Sequence, residues 1–206
     1  MDLNFFERIG TSETKNGYHK KVIKLILQLV NIVEKREQYT VGHSERVAYY
    51  ARKMAAQIGF SEKDLINLEL AGKFHDVGKM AISDFILQKK GPLEVNEWLE
   101  VKQHPVTGVE LIKPFEFLNP IVPLIKYHHE RWDGTGYPEC LKGKEIPLGA
   151  RILAVVDTFD ALSCNRSYRR KMSDQEIYSI IKENANIRFD PEIVSVFLEI
   201  IKDYAN

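Results

Sequence analysis

Between Tyr18 and Glu37 the apolar residues Val22, Ile26, Leu29, Val30 and Val33 recur at the 3.6-residue period of a helix, with charged residues between them. That period dominates the chain. It returns at Val47, Ala51, Met54 and Ile58, with Gly59 placed to stop the helix. Ser61 and Asp64 stand at capping-box spacing, with Asp the weaker choice at the last place, and Ser173 with Glu176 make a proper box. Pro105 and Pro191 suit first helical turns, the second behind an Asp190 cap. Only "ARILAVVDTFDAL" is ambiguous, because the run Ile152 to Val156 also suits a strand; its small residues and the following "FDAL" favour a buried helix. The expectation is an all-α fold. Residues 1 to 17 show no clear period and are expected to form a tail or a short leading segment.

With 206 residues, 44% of them hydrophobic and 28% charged, the chain is long and apolar enough to bury a full core as one domain. No apolar run reaches the roughly 20 residues of a membrane span. The N-terminal "MDLNFFERIG" lacks the basic-then-apolar order of a signal peptide, so the expected compartment is the cytoplasm. Two cysteines, Cys140 and Cys164, are too few for a disulfide framework or a thiolate metal site. Basic and acidic residues balance at 29 each, which gives no reason to expect a nucleic acid polymer or an anionic membrane as partner. Any attraction for an anionic substrate must be local.

The chemistry lies in where the histidines fall. Of six, His43, His75, His104, His128 and His129 sit inside or at the ends of expected helices. A single such histidine is ordinarily a surface or hydrogen-bonded core residue, but five together point to a site. His75 runs directly into Asp76 at the end of an apolar helix, where a carboxylate without a partner is costly and a metal ion is the simplest partner that also uses the imidazole. Imidazole with carboxylate is a ligand set of zinc, iron, manganese and similar ions. Asp157 is a second carboxylate in an apolar context, and Asp160, three residues on, shares its helix face. One of the two can bind metal while the other orients a ligand from behind.

"HDVGK", at His75 to Lys79, resembles the defining dyad of the HD phosphohydrolase superfamily, and "HHERWDGTGYP" is similar to the signature of its HD-GYP branch, bacterial phosphodiesterases of cyclic di-GMP. The resemblance runs from about residue 18 to 203 and includes "YTVGHSERV", "KQHPVTG", "LKGKEIPLGARILAVVDTFDAL" and "RSYRR" in family order. It implies a helical bundle with a central metal site, occupying residues 18–206. By the same resemblance His43, His75, Asp76 and Asp157 would hold one ion, and Asp76, His104, His128 and His129 a second, with Asp76 shared. Lys79 would face the scissile phosphate. Members with a third ion carry a Glu where this chain has Tyr39, so a binuclear site is implied. Iron or manganese is expected from the family, and the ligand types leave zinc, nickel and cobalt open.

The implied reaction is hydrolysis of cyclic di-GMP to the linear dinucleotide, to GMP, or to both, with Asp76 and Lys79 as catalytic residues. A hydroxide bridging the ions would attack in line, while the ions and Lys79 neutralise the growing charge. Arg166 and Arg169 match positions that contact the second phosphate or a guanine. Here the usual "TSDRPYR" reads "SCNRSYR", and Asn165 and Ser167 are expected to loosen this loop. Tyr137 and Pro138 would stiffen the lip of the pocket, Asp133, Gly134 and Gly136 would make the bend before it, and Trp132 would pack on the bundle. Adjacent residues on a helix point about 100° apart, so His128 and His129 are expected where a helix ends. Three other readings share some of these features: an HD hydrolase of nucleoside phosphates, a cyclic dinucleotide sensor, and a docking module for a diguanylate cyclase. Cyclic GMP-AMP as substrate and a homodimer are also compatible with the family.

Overall fold

The computed structural model describes residues 13–37, 41–164 and 172–202, and among them no strand occurs. The first helix, α1, runs Glu13–Arg36, five residues ahead of the point where the apolar period becomes clear. α2 (His43–Ile58) ends where Gly59 takes a left-handed φ of 91° and its N–H bonds back to the Ala55 and Ala56 carbonyls. α3 (Glu62–Phe74) starts on Ser61, whose side chain accepts from the Asp64 N–H. Asp64 does not complete the box. Its carboxylate instead takes the Ser61 hydroxyl at 2.6 Å, being one methylene short of the Glu that would return to the cap backbone.

A 3-10 turn, Val77–Ala81, follows, and then two short helices, α4 (Asp84–Leu87) and α5 (Val95–Val101). α6 (His104–Ile112) carries Pro105 in its first turn. α7 (Val122–Lys126) stops before the two adjacent histidines. The ambiguous segment is a helix, α8 (Leu148–Ser163), and its Ile152, Leu153, Val155 and Val156 are fully buried. A helix enclosed on most sides loses its amphipathic stripe, which explains the strand-like run. α9 (Asp174–Glu183) has the full Ser173/Glu176 box, and α10 (Pro191–Ile201) has Asp190 accepting from the Glu192 N–H.

α2 lies against both α3 and α8, α10 closes over α2 and α8, and α6 packs on the Val77–Ala81 turn. The core between them is seamed by the rings of Tyr50, Phe159 and Phe197, which meet edge to face. Two glycines set close approaches. A Cβ on Gly72 of α3 would stand 2.8 Å from the Ala48 Cα of α2. One on Gly78 would stand 1.9 Å from the His104 carbonyl oxygen, so the 3-10 turn can seat α6 only without a side chain there. No helix among the described residues is long and apolar enough to cross a membrane.

Gly72→Ala forces α2 and α3 apart by a few tenths of an ångström and is expected to cost about 1–3 kcal/mol of unfolding free energy in urea titration. Gly59→Ala meets no atom and strains only the left-handed cap, so it should cost about 1 kcal/mol.

Candidate metal centre

The site is assembled from helix ends. His43 is the first residue of α2, held there because both oxygens of Glu34 on α1 accept the N–H groups of Gly42 and Ser44, each at 2.8 Å. His75 caps the C-terminus of α3, with Asp76 next in the chain. His104 opens α6, His128 and His129 lie just beyond α7, and Asp157 comes from within α8.

Four of the five histidines are pinned through Nδ1. His75, His104 and His128 each donate to the carbonyl three residues earlier, Gly72 at 2.8 Å, Val101 at 2.8 Å and Ile125 at 2.7 Å. These carbonyls belong to the last turns of helices, where no further backbone N–H reaches them. A carbonyl only accepts, so the proton is on Nδ1 and the Nε2 lone pair faces inward. His43 donates Nδ1 to Asp160 at 2.7 Å, and Asp160 is itself gripped by both arms of Arg46.

The inward atoms form two adjoining groups. His43, His75 and Asp157 make one, and Asp76, His104, His128 and His129 the other; within each group one donor atom from every residue lies within 4.8 Å of the rest. Asp76 joins them. Its Oδ2 is 3.3 Å from His75 Nε2 and 3.7 Å from His43 Nε2, while its Oδ1 is 3.3 Å from His104 Nε2. His75, His104 and His128 are each only 1% exposed, so no solvent reaches the lone pairs from behind.

The electrostatics suit a cation. Burial drives His104 down to about 4, with Asp76 opposing, and burial with the neighbouring imidazoles drives His128 down to about 3. Burial lowers His129 likewise. Neutral His104 and His128 thus point Nε2 lone pairs at each other across 3.3 Å, a contact that a positive ion between them relieves. For His43 burial also opposes charge, but hydrogen bonds to Asp157 and Asp160 prevail and raise it to about 10. Burial would raise Asp76 and Asp157, yet His75 and Lys79 hold the first, and His43 the second, well below the usual carboxylate range. The residue types, the tautomers and the two anionic carboxylates all fit divalent ions.

A cavity of about 350 Å³ opens onto the cluster, and Lys79, Tyr137, Trp98 and Arg188 line it beside His43, Asp76, His129 and Asp157. The Lys79 ammonium lies 2.7 Å from Asp76 Oδ2 and 3.0 Å from Glu37 Oε1. Tyr137 covers His129, ring centroids 4.9 Å apart. The bend leading to it is built as the residues suggest. Asp133 takes the Thr135 N–H and hydroxyl, and Gly134 has a φ of 82°. A Cβ on Gly136 would stand 2.4 Å from the Arg131 nitrogen. Trp132 is half-buried, with the Arg151 guanidinium 5.9 Å above its ring. Arg166 and Arg169, with Asn165, Ser167 and Tyr39, lie outside the described residues.

A family model of the HD domain matches residues 28–193. The chain belongs to the HD domain family. Its relatives and structural neighbours group it with the HD-GYP members of that family. It is 37% identical over 178 residues to 3'3'-cGAMP-specific phosphodiesterase 2 of Vibrio cholerae, covering 85% of this chain and 34% of that protein. It is 36% identical over 183 residues to the cyclic di-GMP phosphodiesterase of Thermotoga maritima, covering 86% and 49%. The chain thus spans a third to a half of the length of these curated relatives. Among solved structures it resembles the cyclic GMP-AMP phosphodiesterase V-cGAP3 of Vibrio cholerae, with a TM-score of 0.67 at 19% identity over 87% of this chain and 49% of that one.

Four participants in this HD domain were not singled out from the sequence. Glu37 shares Lys79 with Asp76, Arg46 holds Asp160, and Arg188 enters the cavity from a turn before α10. The fourth, Glu130, is buried directly behind the histidine pair and accepts the N–H groups of Glu139 and Leu141 at 2.7 and 3.1 Å, which ties down the loop bearing Tyr137. Its place in "HHE" was the available signal. The other three meet the site only through the fold.

Asp160→Asn removes the anion behind His43 and should weaken metal binding about 10- to 100-fold, read by competition with a chromophoric chelator. The chelator-treated protein should lose stability on acidification. His104 and His128 titrate near 4 and 3 in the fold but at 6.5 when unfolded, so below pH 6.5 the unfolded chain takes up protons first. Asp76 and Asp157 add to this loss below 3.8, their ordinary value. His43 and His75, both raised, contribute with the opposite sign, complete below 6.5 and lost as pH rises, toward 10 for His43. Urea unfolding at pH 7 and at pH 4 should therefore differ by on the order of 3 kcal/mol, with the pH 4 protein weaker.

Proposed function

We propose that this HD domain is a metal-dependent phosphodiesterase that opens cyclic di-GMP or the related cyclic GMP-AMP, with two divalent ions held by His43, His75 and Asp157 and by His104, His128 and His129. The observation that carries this reading is the two-sided engagement of Asp76, whose oxygens face the two groups separately. A carboxylate so placed is suited to be shared between two ions, and both ligand groups lie on the wall of one cavity. Iron and manganese suit the hard carboxylates and borderline imidazoles, as do zinc, nickel and cobalt.

When bound, such ions supply Lewis acidity, neutralising phosphate oxygens and making water a competent nucleophile near neutral pH. The chain does the rest. Asp160 and the three helix-end carbonyls engage Nδ1 and so keep the Nε2 atoms of the rings directed inward. Lys79 stands beside Asp76 with its ammonium already oriented, so it meets charge developing on the reacting phosphate without reorganising. Burial opposes its charge, but Asp76 and Glu37 raise its pKa, which keeps it protonated across the working range. Tyr137, over His129, excludes water from one side of the cavity and offers a hydroxyl to substrate. Names of the relatives support the substrate class, since they include enzymes of both cyclic dinucleotides.

The test is anaerobic purification with metals counted, followed by incubation with cyclic di-GMP and with cyclic GMP-AMP. Close to two ions per chain and conversion to linear dinucleotide or mononucleotide are expected, with label from heavy-oxygen water on the product phosphate. Full metal with turnover of neither substrate would replace this reading by that of a sensor. Lys79→Ala should lower kcat about 10²- to 10³-fold while metal content stays near that of the parent protein.

A further inference from the structure

The cavity over the metal cluster contains, among the described residues, two cations of different standing. Lys79 is already in contact with the carboxylates of Asp76 and Glu37. Arg188 is half-buried in the same cavity, and no carboxylate among the described residues lies within ion-pair distance of its guanidinium. Burial weighs first against its charge, the Asp157 carboxylate opposes this, and Arg131 adds to the burial. A guanidinium drawn out of water without a paired carboxylate is costly, unless something anionic arrives to meet it.

Its backbone is fixed independently of its side chain. The Arg188 N–H donates to the Asn184 carbonyl at 2.9 Å, and the Arg188 carbonyl accepts the Trp132 N–H at 3.1 Å. Beside it the Ile187 carbonyl accepts the Asp133 N–H at 2.9 Å, so the turn before α10 and the glycine-rich loop are stitched together by main chain. Phe189, buried next in sequence, lies 5.4 Å beneath the guanidinium. The result is a planar five-donor fork on a rigid mount. It opens into the cavity on the flank of Asp157 and Tyr137, whereas Lys79 serves the flank of Asp76 and Glu37.

Resting on the cyclic dinucleotide reading, we infer that Arg188 is a specificity-determining residue that holds the second, non-reacting phosphate while the first is hydrolysed beside Lys79. A cyclic dinucleotide has two phosphodiesters on one ring, so the charge that Lys79 does not meet needs cations of its own, and Arg188 supplies one from the described residues in addition to the expected Arg166 and Arg169. An arginine fork matches a phosphate with two parallel hydrogen bonds. Because the main chain supports the neighbouring loop, truncating the side chain leaves the metal site's scaffold in place.

The experiment compares cyclic di-GMP with bis(p-nitrophenyl) phosphate, a diester that has no second phosphate, using metal-loaded parent protein, R188A and R188K. In R188A, kcat/KM for cyclic di-GMP should fall about 10- to 100-fold, chiefly through KM, and that for the small diester less than about threefold. R188K should recover part of the loss, since it restores charge without the fork. An equal fall for both substrates, no fall for cyclic di-GMP, or loss of bound metal in R188A would overturn the assignment. Parent protein that cleaves the small diester but neither cyclic di-GMP nor cyclic GMP-AMP would remove the proposed substrate itself. That failure is visible before any substitution is made.

Discussion

The structure is organised around one buried carboxylate. Asp76 is 7% exposed and stands among three imidazoles and one ammonium, a location that an isolated anion could not occupy. Satisfying it from several directions requires that α2, the end of α3, the Val77–Ala81 turn and the start of α6 all converge on one point. Gly78 makes the last of these approaches possible, since any side chain there would strike the His104 backbone. The tightest packing and the densest charge therefore occupy the same few residues.

Helix termini make this arrangement inexpensive. The last turn of a helix leaves carbonyls without donors, and three of them here take the Nδ1 protons of His75, His104 and His128. One hydrogen bond thus finishes a helix and chooses a tautomer. His43, at a helix start, has no such carbonyl and uses Asp160 instead, which is why that ring depends on a partner from α8 and on Arg46 behind it. The same logic places His128 and His129 after α7. On a continuing helix adjacent side chains diverge by about 100°, and a chain leaving the helix is free to turn both rings toward His104, whose centroid is 5.3 and 5.0 Å from theirs.

The rim of the cavity follows from a second set of constraints, in which backbone rather than side chains does the joining. Glu130 caps two N–H groups across the loop, Gly136 lets it fold against Arg131, and the Asn184–Phe189 turn clamps Trp132 and Asp133. Tyr137 and Arg188 are carried on opposite partners of that clamp.

Much of this was legible beforehand, because its causes are local. Capping signals, the Gly59 stop and the apolar period are properties of a few neighbouring residues, and they hold in the structure. That Asp160 shares a helix face with Asp157 was readable for the same reason, three residues being close to one turn of helix. The sequence by itself determined an all-α chain with five histidines and Asp76 stationed inside or at the ends of helices and Asp157 within an apolar one, in the motifs of a known family. Only the tertiary structure decided that Asp76 faces both groups, that Glu37 shares Lys79, and that Arg188 enters the cavity. The contacts of Asp76 with His104 and of Lys79 with Glu37 join residues 28 and 42 positions apart, and no local periodicity or cap encodes them; they exist because helix packing brings distant charges into a volume from which water is excluded.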